Sequence, residues 1–175
     1  RKLVIDKKPD LETEQVEERA KSIGLGAVRY ADLSQDRTLD YVFSWDKLLA
    51  MQGNTAPYLQ YAVARIHSIF RKAKTEPSKI KKTAYYPSTE PERKLARKLV
   101  FFPSVLKQTT KELKPHILGG YLYELATEFS SFYNQNKIMV EEKDIMSMRL
   151  LLCSQTLNYL KIGSSILGIK TIEEM

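Results

Sequence analysis

The chain has 175 residues, of which 43% are hydrophobic and 28% charged, a composition typical of a globular protein with one apolar core. Its 28 Lys and Arg residues outnumber its 21 Asp and Glu residues, and the net charge of +7 favours an anionic partner, either nucleic acid or a membrane surface. No apolar run approaches the roughly 20 residues of a membrane span, and the chain does not open on a signal peptide. Its one cysteine cannot form an internal disulfide, which fits a reducing compartment. Because the chain begins at Arg1 without an initiator Met, we expect it to be part of a longer protein.

The first third of the chain predicts short helices and one strand-like run. A charged helix is indicated over 11–22, and Gly24 and Gly26 predict an interruption before a second short helix over 27–33. Residues 40–43 are the strand-like run. A brief helix is then expected from Ser44 to about Met51.

The segment GNTAPYLQYA at 53–62 predicts a turn followed by a helix that ends near Lys74. Thr55 suits the N-cap and Pro57 the first turn. One stripe at spacings of three and four should be buried: Leu59, Ala62, Val63, Ile66 and Phe70. A second stripe carries rings and cations: Tyr58, Tyr61, Arg65, Ser68 and Lys72. Two interpretations fit this second stripe, an unpaired nucleic-acid strand stacking on the tyrosines or two tyrosines at the edge of the core.

Three further helices are expected after a polar loop that contains Pro77 and Pro87. Thr89 and Glu92 form a capping-box pattern, and Pro103 should break or kink the helix that follows. Pro115 opens the next helix, and the last runs from about residue 141 to a stop at Gly168. Each of these helices has an apolar face. The face of the first is Leu95, Leu99 and Phe102, and that of the second is Ile117, Leu118, Tyr121, Leu122, Leu125, Phe129 and Phe132. The face of the last helix is Ile145, Met148, Leu152, Thr156, Tyr159, Gly163 and Ile166. Successive helices without alternating strands predict an all-α, antiparallel helical bundle.

The sequence offers little catalytic chemistry. His67 and His116 are the only histidines, and Cys153 follows three leucines, so we interpret the thiol as a small core side chain. A free-standing enzyme that uses Cys153 is the weakest hypothesis. No spacing of Cys, His, Asp or Glu indicates a metal site, and no glycine-rich phosphate loop is present.

Several long motifs resemble the carboxy-terminal part of arginyl-tRNA synthetases, which are class I enzymes. In chain order these motifs are IGLGAVRYADLS at 23–34, Arg37, DYVFSWD at 40–46, GNTAPYLQYA at 53–62, YLYELA at 121–126, FSSFY at 129–133, RL at 149–150, LGI at 167–169 and Met175. The resemblance extends over essentially the whole chain. The ATP-binding signatures of the HIGH and KMSK types are absent, so we expect this chain alone to be inactive.

The resemblance implies a division at residue 54. Residues 1–54 resemble the end of the catalytic core and a stem-contacting linker, and residues 55–175 resemble the anticodon-binding bundle of the DALR type. In this family the corresponding positions gather around the anticodon, splay its bases and favour the central cytosine. The matching positions here are Gly53, Asn54, Tyr58, Tyr61, Tyr133 and Met175. We add Arg65 to this anticodon site as a basic residue suited to backbone contacts. Arg71, Lys72 and Lys74 are candidates for backbone contacts. A solvated surface position is expected for the other basic residues, namely Lys79, Lys81, Lys82, Arg93, Lys94, Arg97 and Lys98.

Two departures from the family pattern bear on this site. The family usually has His or Tyr where this chain has Val63, so a polar or aromatic contribution is lost there. The family usually ends in a pattern like PxRM, whereas this chain ends in TIEEM at 171–175. Glu174 in place of a cation should weaken the local attraction for phosphate.

The resemblance implies arginine–tRNA ligase function for the full-length protein, which would use ATP with magnesium to activate arginine and attach it to its tRNA. This chain would bind the anticodon loop and stem of that tRNA, with no cofactor and no metal of its own. We expect a cytoplasmic monomer that does not bind membranes. The alternative hypothesis is a helical scaffold that binds a protein partner and no RNA.

Overall fold

The computed structural model describes residues 1–7, 9–80 and 85–174, and every regular element in those ranges is helical. The α-helices are α1 (Lys2–Lys7), α2 (Thr13–Leu33), α3 (Trp45–Leu48), α4 (Ala56–Lys72), α5 (Glu90–Val100), α6 (Phe102–Glu112), α7 (Pro115–Gln135) and α8 (Lys143–Ile166). A single 3₁₀ turn spans Pro77–Lys79. The predicted all-α class is confirmed. Within these ranges no helix is long and apolar enough to cross a membrane.

Helix α7 lies at the centre of the bundle and contacts α2, α4, α5, α6 and α8. Its apolar face is wide, and Leu118, Leu122, Leu125 and Phe132 are fully buried. This width is what allows one helix to pack against five neighbours. The N-terminal helices join the same body, because α2 packs against both α4 and α7.

Local capping signals place several helix ends as predicted. Thr55 accepts a hydrogen bond from the Tyr58 N–H at 3.2 Å, and the Thr89–Glu92 capping box is formed in both directions. Helix α5 ends at Val100 and α6 begins at Phe102, as Pro103 predicted. Gly168 has φ of +68°, and the Ile169 N–H bonds to Ser164 O at 2.8 Å, which is the expected Schellman stop.

The predicted interruption at Gly24 and Gly26 is wrong, since α2 runs unbroken from Thr13 to Leu33. A Cβ atom on Gly26 would lie 3.2 Å from Gln60 Nε2 and 3.3 Å from Ile169 Cγ2, so the glycine permits a close approach. The penalty for a helical glycine is about 1 kcal/mol, and packing against α4 outweighs it. Residues 40–43, predicted as strand-like, do not form a strand with any part of the chain that the structure describes.

The last helix buries a stripe slightly different from the one predicted. Met148, Leu152, Thr156 and Gly163 are buried as expected, whereas Ile166 is 57% exposed. The helix ends at Ile166, and Leu167 and Ile169 turn into the core instead. Cys153 is fully buried, as interpreted from the sequence, and burial raises the pKa of its thiol.

Gly163 marks the closest approach of α8 to α7. A Cβ atom there would lie 2.5 Å from Cδ2 of Leu122, which is itself fully buried. Overpacking costs about 1–3 kcal/mol and exceeds the roughly 1 kcal/mol that alanine gains in helix propensity. We therefore expect Gly163→Ala to lower the free energy of unfolding in urea titration. Gly120→Ala is the matched control, because its Cβ meets open space and should stabilise α7; a stabilised Gly163→Ala variant would contradict the packing.

Candidate nucleic-acid interface

Three of the predicted site residues meet on one surface of the bundle. Arg65 and Tyr61 are one turn apart on α4, and Tyr133 comes from the last turn of α7. The Arg65 guanidinium carbon lies 4.5 Å from the Tyr61 ring centroid and 5.0 Å from that of Tyr133. Arg65 Nη2 also donates to Tyr61 Oη at 2.5 Å. We call these three residues the ring–guanidinium cluster.

Neighbouring side chains hold the cluster in place. The Tyr133 ring packs 6.2 Å from that of Phe129, which is buried in the core. Tyr61 keeps 37% of its surface exposed, so aromatic area is left for a ligand. The buried stripe of α4 is as predicted, which leaves the second stripe facing outward.

Two open clefts share Tyr61 and Arg65 as a common wall. The first, about 420 Å³, is also lined by Met51, Gln52 and Tyr58, and by Ser130 and Asn134 of α7. The second, about 410 Å³, is bounded by Tyr133, Ser68, Arg71 and Glu174. Both clefts carry polar side chains, among them Gln52 and Asn134 in the first and Ser68 and Arg71 in the second. Such walls can hydrogen-bond the edges of flat aromatic ligands whose faces stack on the rings.

Tyr58 takes a less exposed position than Tyr61. Its ring lies 5.8 Å from that of Tyr123 on α7, and it forms part of the first cleft. Tyr58 therefore packs against the edge of the core, while it also faces the first cleft.

The loop before α4 is fixed from two sides. The Thr55 hydroxyl donates to Ala50 O at 2.7 Å while it caps α4, and Gly53 adopts φ of +81°. Asn54 Oδ1 lies 2.6 Å from the hydroxyl of buried Tyr30, which is also 2.8 Å from Gly119 O. Burial, with a smaller contribution from Tyr123, raises the pKa of Tyr30, so its one proton stays available to these acceptors.

The loop before α4 reaches the first cleft through Met51 and Gln52. Gly53 and Asn54 were predicted in this loop instead, and Asn54 bonds to Tyr30. Asn134 and Ser130 were also missed. Their signal in the sequence is weak, consisting only of polar residues beside Tyr133 and one turn before it.

The remaining predicted positions fall elsewhere. Met175, Lys81 and Lys82 lie outside the described residues. Val63 is fully buried in the core, so the departure from the family pattern at this position lies beneath the surface that carries the clefts. Of the basic residues, Arg93 and Arg97 pair with Glu90, and Lys98 pairs with Glu124.

The C-terminal tail, residues 169–174, packs against α2 and α4. Gln60 Nε2 donates to Lys170 O at 2.8 Å and to Ser22 O at 3.2 Å, and Ile169 is buried. The Lys170 ammonium lies 2.6 Å from Glu18, whose pKa is lowered by that hydrogen bond. Beyond Lys170, His67 Nε2 lies 3.8 Å from a Glu173 oxygen, and burial lowers the pKa of His67.

Comparison with known families matches both parts of the chain. A family model described as the DALR anticodon binding domain matches residues 59–175. A second model, described as the catalytic domain of class I tRNA synthetases (R), matches residues 1–45.

Similar proteins and structures agree with these models. An arginine–tRNA ligase of Enterobacter sp. (strain 638) is 43% identical over 100% of this chain and 30% of its own length. The arginine–tRNA ligase of Escherichia coli (strain K12 / DH10B) is 42% identical with the same coverage. The arginyl-tRNA synthetase structure from Plasmodium falciparum has a TM-score of 0.89 and 34% identity, over 100% of this chain and 31% of that one. The arginyl-tRNA synthetase structure from Thermus thermophilus has a TM-score of 0.88 and 30% identity, over 99% of this chain and 30% of that one. The chain thus spans about a third of the length of these relatives.

Proposed function

The chain belongs to the DALR anticodon binding domain family, and from that membership we propose that it binds the anticodon of an arginine tRNA. The observation that carries the proposal is the ring–guanidinium cluster, where Arg65 lies over Tyr61 and Tyr133 between two open clefts. Unpaired bases stack on exposed aromatic rings, and each stack contributes about 1–3 kcal/mol. The rings and cation of this cluster supply that chemistry.

In the proposed mode, the anticodon loop opens over Tyr61 and neighbouring bases enter the two clefts. Tyr58, Gln52 and Asn134 face the first cleft, where amide groups can read a base edge. Arg65, Arg71 and Tyr133 face the second. Gly53 and Asn54 hold the loop that carries Met51 and Gln52, so their role in this mode is positional. Met175 is included among the tRNA contacts because of the family resemblance.

We place the boundary between the two parts of the chain at residues 54 and 55. The catalytic-domain match ends at residue 45 and the anticodon-domain match begins at residue 59, so this boundary falls between them. Residues 1–54 would then be the end of the catalytic core and a linker along the tRNA stem. The close packing of α2 on α4 and α7 would fix the angle between core and anticodon domain.

For the whole protein, we propose the activity in the names of its relatives, arginine–tRNA ligase. It would activate arginine with ATP and magnesium and transfer it to tRNA. This chain would contribute tRNA binding and identity to that reaction. The proposal includes a monomeric, cytoplasmic protein.

The direct test is binding of the purified chain to an arginine tRNA transcript and to the same transcript with its central anticodon base changed. We expect tighter binding to the unchanged transcript, because a base that cannot hydrogen-bond to the polar side chains of the cleft leaves those side chains without partners. Fluorescence anisotropy at fixed salt gives both affinities. Equal affinities would remove the role in identity, and no binding to either transcript would favour the protein-scaffold alternative.

A further inference from the structure

The tail places the Glu174 carboxylate between two arginines, Arg71, which lines the second cleft, and Arg19 of α2. Glu174 carboxylate oxygens lie 3.7 Å from Arg71 Nη1 and 3.6 Å from Arg19 Nη2. Arg71 Nη1 also makes a long contact of 3.4 Å to the Glu173 carbonyl oxygen. Glu174 and Arg71 both line the cleft that Tyr61 and Tyr133 enclose.

We propose that Arg71 and Arg19 form a phosphate-binding site that Glu174 occupies in the free protein, so that the tail competes with the RNA backbone. This inference rests on the function proposed above and names a further part of the same site. A guanidinium that pairs with a carboxylate also fits a phosphate, because its planar fork matches the oxygen spacing of both groups.

Exposure makes the exchange feasible. The side chains of Arg71 and Glu174 are about half exposed, at 51% and 50%, and ion pairs as exposed as this add little to stability. The carboxylate can therefore leave without disturbing the fold.

Arg19 supports the same assignment from the other side. Its side chain is only 19% exposed, and its Nη1 is buried without a hydrogen-bond partner among the described residues. A guanidinium whose Nη1 has no partner can donate a further hydrogen bond to an acceptor oxygen. A phosphate has more acceptor oxygens to offer than the single Glu174 oxygen that now faces it.

The tail itself does not depend on Glu174. Ile169 is buried, Gln60 holds Lys170 O, and Lys170 pairs with Glu18. Neutralising Glu174 should therefore free the two arginines while the chain stays folded and the tail stays in place.

The test is the affinity of the 175-residue chain for the arginine tRNA transcript in wild type and in Glu174→Gln, across a salt series. Each further phosphate that the protein neutralises steepens the slope of the log of the association constant against the log of the salt concentration by about 0.7 for a single strand. Over the tenfold change from 1 M to 0.1 M salt, this slope corresponds to about a fivefold gain in affinity. We expect Glu174→Gln to bind about fivefold more tightly at 0.1 M salt, with the steeper slope.

Glu90→Gln is the matched control, because Glu90 also pairs with two arginines, Arg93 and Arg97, away from both clefts. It changes the net charge by the same amount and should leave the affinity unchanged. In the background Arg71→Gln, the Glu174→Gln change should lose most of its effect.

Equal gains from Glu174→Gln and Glu90→Gln would overturn the competing-tail site, since bulk charge alone would then account for them. An unchanged affinity in Glu174→Gln would overturn it as well. Failure of the wild-type chain to bind any tRNA is a separate result, because it would remove the proposed function and this inference with it.

Discussion

Replacing Arg149 by methionine should lower the free energy of unfolding by about 3–5 kcal/mol, the cost of breaking a buried ion pair by removing one partner. Arg149 Nε lies 2.7 Å from Glu92 Oε1, and Glu92 is completely buried. Arg149 Nη1 also donates to Lys137 O at 2.6 Å, so one side chain ties α8 to α5 and to the start of the α7–α8 connection. Equilibrium urea titration measures the loss.

Lys79→Met is the control for this change, because its pair with Glu76 is exposed and should contribute under about 1 kcal/mol. The double variant Glu92→Gln with Arg149→Met should be less damaged than the sum of the single variants. A loss for Arg149→Met no larger than that for Lys79→Met would contradict the importance of the buried pair.

The same pair should make the protein sensitive to acid. Burial raises the pKa of Glu92, but hydrogen bonds from the Thr89 N–H, from Arg149 and from the Ser88 N–H outweigh it, and the net pKa is lowered. A lowered pKa means that the folded state favours the carboxylate. Its contribution is complete above about pH 4.5 and is lost as the pH falls through the folded-state pKa. The acid transition should be weaker in Glu92→Gln.

Replacing Tyr61 by alanine should weaken tRNA binding about tenfold or more, since stacking on one ring contributes about 1–3 kcal/mol. The change also removes the ring over which Arg65 lies and the acceptor of its hydrogen bond. Tyr61 is 37% exposed, so the fold should tolerate the loss, and circular dichroism checks this. Fluorescence anisotropy with the arginine tRNA transcript gives the affinity.

Two further variants separate stacking from other causes. Tyr61→Phe keeps the ring and should keep most of the affinity. Tyr86→Ala removes an equivalent ring that is 83% exposed and lies outside both clefts, so it should bind like the wild type. Wild-type affinity in a folded Tyr61→Ala variant would refute stacking at this position.

Features that depend on neighbours in sequence were predicted well. The buried stripe of α4, the Thr55 cap and the Thr89–Glu92 box follow from spacings of three or four residues, which the helix itself imposes. The break at Pro103 follows from its missing N–H. These are local rules, and nothing distant overrides them here.

Features that depend on distant residues were not predictable in the same way. The continuity of α2 depends on the packing of Gln60 and Ile169 against Gly26, and no pattern in the neighbouring sequence predicts those contacts. The contact between Arg65 and Tyr133, which are 68 residues apart in the sequence, was anticipated only through the family resemblance. The ion pairs of Glu174 with Arg19 and Arg71 likewise join residues that are far apart in the sequence and that only the fold brings together.

The position of Gln60 has a consequence for the order in which the protein is completed. Its side-chain nitrogen bonds to Ser22 O, 38 residues before it, and to Lys170 O, 110 residues after it. Because synthesis proceeds from the amino end, α2 and α4 leave the ribosome long before Lys170 does. The first bond can form once α4 has emerged, whereas the second can form only after Lys170 has also emerged. Lys170, made 110 residues after Gln60, thus closes the contact between α2 and the helix that carries Tyr61.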